Sequence, residues 1–363
     1  MKKGERTMDM IKIMYITKLK NKKTNGVTVA VTQLLNSLCK YSHIGWLNLS
    51  EGSFDVSEAV ERLNLNSWSD FCPDIAVFED PFNSLCFCKI AAELRKKRIP
   101  YIISPHGCFT QIAMQKKALK KYIAIHTVLH SFLKGSFATQ YLCENEKKTS
   151  LCFGKSLIIP NGIPSVAVGK IIQDIKKLVF ISRKDVRHKG IDLLLEAVKQ
   201  KKELFLLKNA VIDLYGPAES ESDEDHINKL IQEGQLSEIV HNNSAVIGEE
   251  KVTVFKNSDL FILTSRHEGF PMSILEALSY GLPVLITKGT NMADIVSEAD
   301  AGWTCETDIQ DIAETLEIAL NCTDCQQKSK NAQNLSARFS WDEVSSLTVK
   351  CYREIAEKKY MKN

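Results

Sequence analysis

The chain has 363 residues, 44 % of them hydrophobic and 25 % charged, which is ordinary soluble-protein usage and excludes wholesale disorder. A prior of roughly 150 residues per domain gives about two domains. The net charge of +3 conceals an asymmetry: up to Ser165 there are 23 Lys and Arg against 13 Asp and Glu, and beyond it 24 against 31. A basic first half and an acidic second half imply domains with different partners, the first facing an anionic surface. No uninterrupted apolar stretch reaches the ~18–20 residues that a membrane span requires. The apolar run Ile11–Ile16 is short and carries Lys12, so no signal peptide is expected, and Met8 or Met10 is an alternative start. Eleven scattered cysteines fit reduced thiols in a cytosolic protein. Cys322-Thr-Asp-Cys325 is either a redox or zinc pair or two helix-end thiols.

In chain order, Ile11–Ile16, Asp74–Phe78, Tyr101–Ser104, Phe137–Leu142 and Leu157–Ile159 read as strands of the first half. Leu178–Ser182, Val211–Tyr215, Leu260–Thr264 and Pro283–Thr287 do so in the second. Their near-continuous apolar character suits parallel strands covered on both faces. Between them, Val27, Ala30, Val31, Leu34, Leu35 and Leu38 keep helical spacing, as do Ile191, Leu194, Leu195 and Val198. The alternation runs twice, with a break around Pro164–Asp174. It predicts two doubly wound parallel-sheet α/β domains, residues 1–165 and 170–340, with a last helix in 341–363 packing back on the first. Ligands of such sheets bind beyond the carboxyl ends of the strands, which places the expected site in a cleft between the domains.

Four constellations fall at strand-to-helix turns. Thr24-Asn25-Gly26 opens the first helix, either as a phosphate-approach turn or as a plain Asn-Gly turn. Ser182-Arg183 ends a strand, and His188-Lys189-Gly190 precedes a helix. Two cations converging on a helix N-terminus oppose its dipole, but they suit a diphosphate between them; the alternative is a solvated basic loop. Glu268-Gly269-Phe270-Pro271 leads into Met272-Ser273-Ile274-Leu275-Glu276-Ala277, and Pro271 fits the first turn of a helix. Glu276 lies among apolar neighbours and needs partners, either paired sugar hydroxyls or a salt bridge. In Ser104-Pro105-His106-Gly107 the imidazole is either a structural histidine or a group that bonds a sugar hydroxyl.

With these motifs in order over nearly the whole length, the chain resembles the retaining glycosyltransferases of family 4. That resemblance implies the GT-B fold of two Rossmann-like domains: an acceptor domain, then a nucleotide-sugar donor domain. The family's E-x7-E element is matched by Glu268 and Glu276, its Arg…Lys-Gly pair by Arg183 and Lys189-Gly190, and the Asn-Gly-Ile ending the first domain by Asn161-Gly162-Ile163. Two departures stand out: a single glycine, Gly26, in the first turn, and Ser182 where a glycine commonly precedes the arginine.

By the same resemblance, Arg183 and Lys189 hold the donor diphosphate and stabilise the leaving group, while Glu268 and the backbone of Gly269, Phe270, Pro271 and Met272 contact the donor sugar. Glu276 takes the ribose hydroxyls, His106 meets the sugar near the reacting centre, and the base rests near Tyr215-Gly216 and Val246-Ile247-Gly248. The implied function is a retaining transfer of a hexose or N-acetylhexosamine from a nucleotide-diphosphate sugar, UDP favoured, to a glycan acceptor such as a lipid-linked O-antigen, capsule or lipopolysaccharide oligosaccharide.

No cofactor or metal is expected, because cations and helix N–H groups can take up the leaving-group charge. Asp223-Glu224-Asp225 read as first-turn helix acids. Lys116, Lys117, Lys120 and Lys121, ahead of the apolar stretch Tyr122–Leu133, are either a peripheral contact with anionic lipid at the inner face of the cytoplasmic membrane or a solvated helix face. Arg95-Lys96-Lys97-Arg98 ends a helix and complements its dipole. The rival readings are a nucleotide-sugar epimerase of the same fold, an NAD-dependent dehydrogenase, although no G-x-G-x-x-G follows the first strand, and a non-catalytic binding protein, disfavoured by the intact Arg183, Lys189, Glu268 and Glu276. Nucleic acid is not an expected partner.

Overall fold

A computed structural model describes residues 10–20, 26–82, 85–115, 117–166 and 170–360. Met8, Thr24, Asn25 and Lys116, all named above, lie outside them. The chain divides into two compact units: residues 1–162 with 341–363, and residues 163–340.

The first unit carries a parallel sheet of β1 (Lys12–Thr17), β2 (His43–Asn48), β3 (Glu61–Arg62), β4 (Ile75–Glu79), β5 (Tyr101–Ser104), β6 (Ala138–Tyr141) and β7 (Lys155–Ile158), in the spatial order 3-2-1-4-5-6-7. Both faces are covered, which explains the unbroken apolar runs. Ile13, Tyr15 and Val77 point into one core with Leu35 and Leu38 of the helix Gly26–Leu38. Met14, Ile16, Ala76 and Phe78 point into the other, against Phe87, Leu94 and Phe132.

The last helix, Trp341–Tyr360, closes the first of these cores with Val344, Tyr352 and Ile355. Its Tyr352 hydroxyl donates to Gln140 Oε1 at 2.5 Å, and its Trp341 indole N–H donates to Gln33. The Trp341 ring also explains Gly162: a Cβ there would lie 2.4 Å from the indole.

The second unit carries β8 (Lys177–Ile181), β9 (Val211–Tyr215), β10 (Val240–Asn243), β11 (Leu260–Leu263), β12 (Val284–Thr287) and β13 (Gly302–Cys305), in the order 10-9-8-11-12-13. The pairings are parallel throughout. In each sheet the strand order reverses direction once, between β1 and β4 and between β8 and β11. Those reversals are the switch points at which such sheets bind ligands.

The lysine-rich segment departs from its expected form. Ile125, Leu129, Phe132 and Leu133 turn into the core, so only part of the apolar stretch faces solvent. Lys121 turns back on the protein, donating to the Ala113 carbonyl at 2.6 Å with its ammonium 5.2 Å from the Phe82 ring centre. What stays outward on the helix Ala118–His126 is Lys120 with Leu119, Tyr122 and Ile123, which are 73, 61 and 51 % exposed, beside Lys117 at its N-cap. No helix among the described residues is long and apolar enough to cross a membrane.

Candidate functional site

In the second unit the chemistry-bearing residues gather at the switch point. Arg183 follows β8 by two positions, and its guanidinium donates to Glu219 Oε2 at 2.5 Å, both side chains about half exposed. Ser182 has no left-handed backbone; the glycine of this crossing is Gly216, in the turn after the adjacent strand β9. Gly216, just beyond β9, has φ +148°, and a Cβ there would stand 1.7 Å from the Ser182 carbonyl oxygen. Gly190, with φ +66°, is the N-cap of the helix Ile191–Gln200, and a Cβ there would stand 2.0 Å from the Thr264 carbonyl oxygen.

Lys189 and Glu268 form the centre of this group. The ammonium donates to Glu268 Oε1 at 2.5 Å, with the side chains 9 and 10 % exposed. The Ser265 hydroxyl donates to the same oxygen at 2.6 Å. Asn291 holds the following loop by donating to the Glu268 carbonyl. The imidazole of His188 is held below its ordinary pKa, first by burial and then by the Lys189 charge.

The helix after this loop is Met272–Ser279, and Pro271 is its N-cap with extended backbone, one residue outside the first turn expected for it. An N-cap proline still leaves the free N–H groups to the residues that follow. Phe270 is core: its ring packs 5.9 Å from that of Phe339, so only its backbone faces the loop. Glu276, on the second turn, accepts from Lys251 Nζ at 2.6 Å; of the two readings left open, this conformation displays the salt bridge.

Lys251 belongs to the helix Gly248–Asn257, whose N-cap is Ile247, 70 % exposed. Asp223 accepts the Val186 N–H, and Glu224 pairs with the buried Lys184. Cys322 donates to Asp324, and Cys325 lies buried at the start of the next helix, an arrangement of two helix-end thiols.

In the first unit, His106 follows β5 in a left-handed conformation, φ 46°, ahead of Gly107 at φ 80°. Its Nε2–H donates to Glu79 Oε2, at the end of β4, at 2.5 Å. Gly26 begins its helix, and a Cβ there would meet nothing within 4 Å, so packing does not require that glycine.

The model of the family described as Glycosyl transferases group 1 matches residues 169–335. Among curated relatives, the chain is 24 % identical over 49 % of its length to the MMP alpha-(1->4)-mannosyltransferase of Mycolicibacterium hassiacum, covering 43 % of that protein. It is 25 % identical over 59 % of its length to the capsular polysaccharide biosynthesis glycosyltransferase CapM of Staphylococcus aureus, covering 58 %. The chain thus spans about half the length of these relatives. Among solved structures, Anabaena HepE in complex with UDP superposes with a TM-score of 0.74 over 95 % of this chain and 100 % of that one, at 14 % identity.

The fold is GT-B.

The matched family model and both curated relatives are glycosyltransferases, and the solved structure shares the GT-B fold. Several groups of this GT-B chain were not legible as site residues: Ser265 and Asn291 around Glu268, Glu219 on Arg183, Lys251 on Glu276, and Glu79 on His106. For Ser265 and Glu79 the available signal was position, since each stands at or just past the carboxyl end of a strand.

Proposed function

We propose that this chain is a retaining glycosyltransferase that moves a hexose or N-acetylhexosamine from a nucleotide-diphosphate sugar, UDP favoured, onto a bacterial surface glycan, lipid-linked O-antigen, capsule or lipopolysaccharide oligosaccharide. The observation that carries the reading is the buried Lys189–Glu268 pair at the switch point of the second sheet, with Arg183 at the end of the adjoining strand. The likeness to a UDP-bound structure and to a capsule glycosyltransferase supports the donor and the acceptor class.

Cleaving a sugar–diphosphate bond builds negative charge on the leaving phosphate. In this reading Arg183, Lys189 and the N–H groups opening the helix Met272–Ser279 take up that charge without reorganising. Glu268 and the backbone of 269–272 hold the donor sugar, Glu276 exchanges Lys251 for the ribose hydroxyls, and the base rests by Gly216 and Ile247. His106 meets the sugar near the reacting centre. Retention by front-face attack is adopted from the resemblance to family 4. No metal enters the scheme; Asp223 and Glu224 are engaged in holding backbone and Lys184.

Thermal shift of the full chain with UDP, GDP, ADP, CMP and NAD, all in EDTA, tests this reading. A nucleotide at a hundred times its dissociation constant stabilises by about 2.7 kcal/mol. Stabilisation by one nucleoside diphosphate supports the reading and names the base; stabilisation by NAD alone overturns it in favour of a dehydrogenase. Sugar conversion with no acceptor present identifies an epimerase.

The acceptor side includes a peripheral membrane contact at the inner face of the cytoplasmic membrane, through Lys117, Lys120 and the exposed Leu119, Tyr122 and Ile123. Cations beside exposed apolar groups suit an anionic bilayer surface. Flotation with anionic vesicles should be lost in a variant carrying Glu at both lysines and Ser at the three apolar positions; equal flotation of both forms refutes the contact.

A further inference from the structure

His106 is held by more than one carboxylate, and the arrangement goes beyond a histidine placed in a loop. Glu79 closes β4 and is 2 % exposed; with one oxygen it receives the Nε2–H at 2.5 Å. Ser104 stands 3.4 Å from the same nitrogen, and among the described residues Nδ1 makes no hydrogen bond.

The second carboxylate is Glu146, fully buried in the first turn of the helix Glu144–Thr149. Neither of its oxygens reaches the imidazole. Oε1 accepts the Gly107 N–H at 2.7 Å and Oε2 accepts the Leu142 N–H at 2.6 Å, tying the loop after β5 to the end of β6. A non-glycine residue in the left-handed region persists only where its surroundings over-determine it, and these two bonds supply that constraint next to His106.

The charges facing the ring come from every side. Glu79 and Asp80 lie at the end of β4, Glu146 on its helix and Cys108 in the same loop; Lys121 faces Cys108 from the helix Ala118–His126, and Tyr15 and Tyr352 lie near Glu79 from β1 and the last helix. Burial alone would lower the imidazole pKa, but Glu79, then Glu146 and Asp80, carry it above its ordinary 6.5. Three acids around one ring favour its cationic form.

We propose that Glu79 and Glu146 are positioning residues: Glu79 fixes the ring through Nε2, so that His106 presents Nδ1–H as a cationic hydrogen-bond donor to an oxygen of the bound sugar, and Glu146 holds the loop that keeps it there. The sugar half of this assignment rests on the glycosyltransferase reading; the hydrogen-bonded pair does not. A base or acid oriented by a buried carboxylate is a recurring way of fixing one tautomer, and the carboxylate itself need not exchange its proton.

The experiment is a titration of the full chain labelled with ¹⁵N-histidine from pH 5 to 9, with His106 assigned among the eight histidines by its loss in His106→Gln. The wild type should show an Nε2–H ring with a midpoint above 6.5. Glu79→Gln should lower that midpoint and reduce kcat for sugar transfer at pH 7.5 at least tenfold, with KM for the donor little changed. Glu79→Asp keeps the charge and should recover most of the raised midpoint, which separates loss of charge from a failure to fold.

An unchanged midpoint and tautomer in Glu79→Gln would overturn the pair. A shifted midpoint with unchanged kcat would overturn its role in the reaction. A raised wild-type midpoint in a protein that turns over no nucleotide sugar would leave the pair standing and remove the sugar from the proposal.

Discussion

Replacing Lys189 by Met tests the centre of the second unit by stability as well as activity. The Lys189 side chain is 9 % exposed, and its ammonium sits 2.5 Å from Oε1 of Glu268, whose side chain is 10 % exposed. Removing one member of such a pair leaves the other as an uncompensated buried charge, at a cost of about 3–5 kcal/mol. Ser265 still donates to Glu268 Oε1 in the variant, which places the expected loss at the lower end, about 3 kcal/mol. For a unit the size of residues 163–340, a Tm falls by about 2–4 °C per kcal/mol, so the expected drop is roughly 6–12 °C.

The double variant Lys189→Met, Glu268→Gln removes both charges and keeps an acceptor for Ser265. It should recover most of that loss, since replacing a whole buried pair by neutral groups is often nearly neutral. Both variants should be inactive in sugar transfer. Thermal and urea denaturation of the full chain reads the first effect, and nucleoside diphosphate release reads the second. A single variant melting within 1 °C of wild type, or a double variant no more stable than the single, would refute the assignment of a buried, mutually compensating pair.

Arg183→Ala should behave differently: its ion pair with Glu219 is half exposed and worth little to the fold, so Tm should hold while kcat/KM falls about 10²–10³-fold, read by steady-state kinetics. Gly216→Ala places a methyl 1.7 Å from the Ser182 carbonyl at a φ that L-residues rarely adopt, and should lose more than about 1 kcal/mol in urea denaturation while weakening nucleotide binding. The pH dependence follows from His188, whose folded-state pKa is depressed below 6.5 by burial and by Lys189. Its contribution to stability is complete above the unfolded value and is lost as pH falls through the folded one, so a stability profile from pH 7.5 to 5 should flatten in His188→Gln.

Much of the fold was legible because parallel strands buried on both faces must be apolar at every position. Ile13 to Ile16 and Leu260 to Leu263 are of this kind, whereas β6 and β9 carry Thr139, Gln140 and Asp213 among their apolar residues. The strands that escaped notice are β2, β3, β10 and β13, whose sequences HIGWLN, ER, VHNN and GWTC contain glycine, Asn or charge and lack an apolar run. Three of them are edge strands and β2 lies next to an edge, where one side needs less covering.

At the site, Glu268, Glu276, Arg183 and Lys189 stood out because residue type, spacing and strand-end position coincide. Their pairings did not. Glu268 reaches Lys189 across 79 residues, His106 reaches Glu79 across 27, and Glu276 reaches Lys251 across 25. Such pairings are set by strand order, which no local spacing encodes. The lysine cluster shows the converse, since Lys117, Lys120 and Lys121 are close in sequence and yet Lys121 points inward.

The last helix has a consequence for how the protein is made. Trp341–Tyr360 belongs to the first unit, so the whole of residues 163–340 is threaded into the sequence between that unit's body and its final piece. On a ribosome adding about 5–20 residues per second, the body waits roughly 10–40 s for Val344, Tyr352 and Ile355 to arrive. During that interval Tyr15, Val77 and Leu35 lack the helix that later covers them, and the second unit has its last residue before that helix is made. The unit begun first is thus the one finished last, and it is the one whose apolar core is open to chaperones and to aggregation while synthesis proceeds.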